Sequence, residues 1–131
     1  MVILVEDDTG LRIALERVLC ASGFEAQAYA SAEAALADDN ENWADCLVVD
    51  LNLPKMSGLE LVQRLRECGF TAPVVVITAH DGPGVRAEVQ RRGIEHFLAK
   101  PFLGSTLVRL LDNVIASRNS GTPSTDQASS S

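Results

Sequence analysis

Hydrophobic positions follow two alternating patterns along the chain. The runs Val2–Val5, Cys46–Val49, Val74–Ile77 and, more weakly, His96–Ala99 are short and continuous, as expected of strands buried on both faces of a parallel sheet. A fifth run, Phe24–Tyr29, is interrupted by Glu25 and Gln27, which places it at a sheet edge. Between the runs the spacing becomes helical. Leu11, Ala14, Leu15, Val18 and Leu19 recur along one face, and Gly23 stops them. Ser31 can cap Ala32–Ala37, and Ser57 precedes Leu59, Val62 and Leu65, with Gly69 after them. Leu103–Ala116 carries Leu107, Leu110, Leu111, Val114 and Ile115. Val85–Arg92, introduced by Gly82-Pro83-Gly84, has almost no large apolar residue and is expected to be the most mobile helix.

Five strands alternating with five helices predict βαβ units: a parallel sheet, right-handed crossovers and helices on both faces, hence a three-layer α/β domain. Such a sheet presents its ligand site at the carboxyl ends of its central strands. After residue 117 the chain is rich in Ser, Thr, Gly and Pro and has nothing to bury. Residues 1–117 are therefore expected to form the domain, and 118–131 a disordered tail or linker.

Composition narrows the function. Eighteen acidic against eleven basic residues in 131 give a net charge of −7, which repels nucleic-acid backbones and anionic lipid heads. No apolar run approaches the roughly 18 residues that a membrane helix needs. Cys20, Cys46 and Cys68 are an odd, unpatterned set in apolar stretches, expected as buried reduced thiols in a cytoplasmic protein. The start, MVILVEDD, lacks the basic region and cleavage site of a secretory signal.

The chemistry lies where the strands stop. The first is followed by Glu6-Asp7-Asp8 and the third by Asp50. Two unit charges about 4 Å apart repel by roughly 4 kcal/mol at an effective dielectric near 20, so a cluster of these acids calls for a cation or a shifted pKa. Mg²⁺ suits them, since it takes hard oxygen ligands and leaves room for phosphoryl oxygens. Asp8 is better placed as the N-cap of the first helix. The fourth strand leads to Thr78 and the fifth to Lys100-Pro101, adding a hydroxyl and an ammonium at the same edge. A carboxylate nucleophile, a metal, a hydroxyl donor and a fixed cation together make a phosphoryl-accepting site.

These elements, VILVEDD, VVDLNLPKMSGLEL, VVVITAH and FLAKPF, resemble in order and spacing the receiver domain of two-component response regulators, the CheY-like family, over about residues 2–116. The resemblance implies a five-stranded sheet of order 2-1-3-4-5. It further implies that Asp50 is phosphorylated by a sensor histidine kinase or histidine phosphotransfer protein. Asp7, Asp50 and the Asn52 backbone carbonyl would hold Mg²⁺, with Glu6 assisting through water. Thr78 and Lys100 would contact the phosphoryl group, and Phe97 would be the aromatic switch. Pro54 and Gly58 would shape the loop after the acceptor, Gly58 by tolerating a turn. The response would appear at the face made by the fourth helix, fifth strand and fifth helix, controlling an output domain or partner, as a monomer or a phosphorylation-dependent dimer.

SAEAAL, MSGLEL and ITAHDG are similar to the nitrogen-fixation-type receivers, which usually precede a helix-turn-helix domain. Glu6 stands where Asp is frequent, and His80 follows Thr78 closely enough to influence water access. Two other readings use similar folds. A haloacid dehalogenase-type hydrolase needs a second Asp two residues after the nucleophile, where this chain has Asn52. A flavodoxin-like module needs a Gly/Ser/Thr phosphate loop after the first strand, where this chain has acids.

Overall fold

The computed structural model describes residues 1–38, 44–79 and 82–120, which form five strands and five helices in strict alternation. They are β1 (Val2–Val5), α1 (Thr9–Ala21), β2 (Ala26–Tyr29), α2 (Ala32–Ala37), β3 (Cys46–Asp50), α3 (Gly58–Glu67), β4 (Val74–Thr78), α4 (Pro83–Arg91), β5 (His96–Ala99) and α5 (Gly104–Ser120). The strands make one parallel sheet in the order β2-β1-β3-β4-β5. The expected edge strand and the expected winding are both found.

Side chains alternate across the sheet and so divide the core in two. Ile3, Val5, Leu47, Val49, Val74 and Val76 meet Leu61, Val62 and Leu65 of α3 and Val89 of α4 on one face. On the other, Val2, Leu4, Cys46, Val48, Val75 and Ile77 meet Leu15 and Leu19 of α1 and Leu107 and Leu111 of α5. This double burial is why β1, β3 and β4 are apolar without interruption. Helix starts follow local chemistry: Asp8 Oδ1 accepts from the Leu11 N–H at 3.0 Å, Ser31 caps α2 and Ser57 caps α3. Gly23 and Gly69, with φ of 94° and 96°, take the left-handed turns after α1 and α3 that a Cβ would strain. Helix α4 has no side-chain cap, starts with Pro83 and buries only Val89.

Three expectations are corrected. Cys46 is buried, and burial pushes its thiol pKa up to about 12, but Cys20 and Cys68 are exposed. Cys20 lies on the outward side of α1, where successive residues point about 100° apart, and Cys68 is the C-cap of α3, between Glu67 and Gly69. Gly58 does not serve a left-handed turn; that conformation falls to Lys55, with φ of 62°. What Gly58 provides is space, since a Cβ there would lie 2.3 Å from the Asp50 carbonyl oxygen and 3.0 Å from Leu51 Cα. Helix α5 also runs to Ser120, four residues beyond the helical pattern expected to end at Ala116, its regular backbone continuing into polar sequence. Trp43, His80 and residues 121–131 lie outside the described residues.

Gly58→Ala is expected to destabilise the domain by at least about 1–3 kcal/mol, because both clashing partners are backbone. Gly104→Ala meets only the Val18 side chain, both Cγ atoms at 3.0 Å, which can shift more readily than backbone, and should cost less. Denaturant unfolding of the two variants checks the order.

Candidate functional site

The sheet register assembles the site. Val5 pairs with Val49, Asp50 with Ile77 and Thr78 with Ala99, so Glu6, Asp50, Thr78 and Lys100 emerge at one edge from neighbouring strands. Among the described residues, Glu6, Asp50 and Thr78 are the buried polar or charged side chains, at 0%, 4% and 0% exposure. Asp7 is exposed at the mouth.

Carboxylate oxygens of Glu6, Asp7 and Asp50 all lie within 4.8 Å of one another. Lys100 supplies the balancing cation. Its Nζ donates to Asp50 Oδ2 at 2.8 Å and stands 2.8 Å from Glu6 Oε1, the latter an ion-pair contact out of hydrogen-bond alignment. The remaining oxygens are held by backbone: Asp50 Oδ1 accepts from the Asn52 N–H at 2.9 Å, and Glu6 Oε2 from the Asp8 N–H at 3.0 Å. The Asn52 side chain points to β4, where its amide donates to Thr78 Oγ1 at 3.1 Å.

Burial raises the Glu6 pKa, and the Asp50 charge adds to this, against the opposing pull of Lys100 and the Asp8 N–H. Burial by itself would lower the Lys100 pKa, but the hydrogen bond to Asp50 and the close ion-pair contacts with Asp50 and Glu6 outweigh it, so the net shift is upward. Three acids against one lysine leave an excess of negative charge at a cluster of hard oxygens, and Glu6 Oε1 is buried without an aligned donor. These residues fit a divalent cation such as Mg²⁺.

The structure therefore brings Glu6, Asp7, Asp50, Asn52, Thr78 and Lys100 together. Phe97 lies further along β5, level with Val76, half-buried against the α3/α4 face. Sequence reasoning missed three contributors. Arg12 donates to the Glu6 carbonyl at 2.9 Å, bracing the turn after β1; it follows the acids by one helical turn, but nothing in its spacing marks it. The Asn52 side chain, considered beforehand only as the replacement of a second acid, engages Thr78. Arg86 covers the Phe97 ring.

A family model described as the response regulator receiver domain matches residues 2–112. The transcriptional regulatory protein PrrA of Mycobacterium bovis is 32% identical over 126 residues, covering 96% of this chain and 54% of the relative. Transcriptional regulatory protein FixJ of Rhizobium meliloti is 32% identical over 109 residues, covering 83% and 53%. The chain thus spans about half the length of these relatives. The chemotaxis protein CheY4 of Vibrio cholerae superposes with a TM-score of 0.80 at 29% identity, covering 86% of this chain and 96% of that one. No described helix is long and apolar enough to cross a membrane.

A carboxyl whose pKa is raised on folding contributes stability that is complete below its unfolded pKa and is lost as pH rises through the folded one. In magnesium-free buffer, the unfolding free energy of the parent relative to Glu6→Gln should therefore fall as pH rises above the ordinary 4.5. Chemical denaturation between about pH 4 and 8 checks this, and a flat difference would contradict the assigned environment of Glu6.

Proposed function

This chain belongs to the receiver domain family of two-component response regulators, and from that premise we propose that it is a phosphorylation-controlled switch whose acceptor is Asp50. One observation carries the reading. The Asp50 carboxylate ends a central strand with one oxygen on the Asn52 N–H and the other on Lys100, beside two further acids.

An Asp50 oxygen attacks the phosphorus of a donor phosphohistidine. The P–N bond breaks, and its electron pair leaves with the imidazole. Asp7, Asp50 and the Asn52 carbonyl would hold Mg²⁺, with Glu6 assisting through water, and the ion when bound offsets the charge developing on the phosphoryl oxygens. Lys100, already 2.8 Å from Asp50, is placed to follow an equatorial oxygen. The Thr78 hydroxyl is one strand away and must turn from the Asn52 amide to donate to the new group. On the shared α3/α4 face, Thr78 and Phe97 are diagonal neighbours, because Val76 pairs with Phe97 and Thr78 with Ala99. Movement of Thr78 thus opens space toward which Phe97 can turn, repacking the surface of α4, β5 and α5.

The product is a signalling state rather than released phosphate, and water ends it slowly. We place the chain in the cytoplasm, as a monomer or phosphorylation-dependent dimer, and assign as partners a sensor histidine kinase or histidine phosphotransfer protein and an output domain or protein read through that surface. Asn52, in place of a second acid, disfavours turnover of small phosphate esters.

Incubation with acetyl phosphate and Mg²⁺ should add roughly 80 Da to the parent and nothing to Asp50→Asn. A gain surviving in that variant and mapping to Asp7 or Asp8 would overturn the acceptor. Moving a switch from 1:99 to 99:1 needs about 5.5 kcal/mol, whereas one charge-assisted hydrogen bond supplies roughly 1.5–3. Thr78 and Lys100 must share the task. Thr78→Ala and Lys100→Ala should each reduce phosphorylation-dependent NMR shifts across residues 85–111, and the double variant should nearly abolish them while Asp50 still accepts phosphate.

A further inference from the structure

We propose that Arg86 is a positioning residue that holds the Phe97 ring in its resting place and so sets how readily the switch responds, an inference that rests on the phosphorylation reading above. The Arg86 guanidinium lies over the ring, its Cζ 4.5 Å from the centroid. Arg86 comes from α4, the helix with no side-chain cap and one buried residue, and Phe97 from the edge strand β5. The contact therefore ties the most weakly anchored helix to the residue that must move. Beside the ring, a cavity of about 140 Å³ lined by Arg86, Val89, Ile94 and Glu95 leaves it unsupported on that side. The cation holds one face of the ring, and open space borders it.

The other arginine–aromatic pair among the described residues shows the contrast. Arg66 lies 5.6 Å from the Phe70 centroid and donates to the Phe70 and Ala72 carbonyls at 2.9 and 2.8 Å, all within the end of α3 and the loop before β4. That pair is a brace within one segment. Arg86 and Phe97 instead join two elements that the switch displaces relative to each other. An exposed cation–π contact biases such an equilibrium by about two- to fivefold. Phosphorylation can overcome a restraint of that size, and its loss would be measurable.

The test uses the full chain carrying 4-fluorophenylalanine, with the Phe97 signal identified by its loss in Phe97→Leu. In unphosphorylated Arg86→Met, which keeps side-chain length without charge, that signal should move toward its position in the phosphorylated parent. The shift should correspond to about a two- to fivefold rise in the responding conformer, and Arg86→Lys should reverse most of it. In a Phe97→Leu background, Arg86→Met should no longer alter the amide shifts of residues 83–99. An unmoved Phe97 signal, a failure of Arg86→Lys to rescue, or an undiminished effect in that background would each overturn the proposal. Failure of the underlying reading looks different: the parent itself gains no mass at Asp50, and the role of Arg86 in responding falls with it.

Discussion

Three carboxylates converge at the ends of β1 and β3, and their mutual repulsion is the constraint that the rest of the molecule answers. At separations within 4.8 Å such charges are tolerable only with a cation among them. Lys100 provides one, from the far end of the chain, and two backbone N–H groups take the inner oxygens of Asp50 and Glu6. The compensation is partial. What remains is a site with excess negative charge and a buried, misaligned oxygen on Glu6, suited to a divalent ion.

Holding such a site in place requires a rigid edge. Apolar residues on both faces fix the central strands, and the absence of a Cβ at Gly58 lets α3 begin in contact with the Asp50 carbonyl. Stiffness on this side contrasts with α4, which buries one valine and begins without a side-chain cap. The domain therefore joins a firmly packed acidic site to a loosely held helix. Contacts between them include the Asn52 amide on the Thr78 hydroxyl and Arg86 over the Phe97 ring.

How much was legible beforehand depended on the range of the physics. Continuous β-branched runs could only be strands covered on both sides, and the alternation of strand and helix left a doubly wound sheet as the natural result. Acids, a hydroxyl and a lysine immediately after four such runs had to share an edge once the strands were parallel. Cys20 shows the limit, since a residue between apolar neighbours on a helix can still point outward. Gly58 shows another: the sequence marks a glycine, but only packing tells whether it serves a turn or a close approach.

The sequence by itself determined the elements, their caps and the set of chemical groups at the strand ends, because periodicity, capping and strand termination act over a few residues. Tertiary structure decided which oxygen of Asp50 meets Lys100 and which the Asn52 N–H, that the Asn52 side chain reaches β4, and that Arg86 rests on Phe97. Those contacts join elements that are distant in the chain. Their geometry depends on sheet register and side-chain rotamer together, and neither can be read from local spacing.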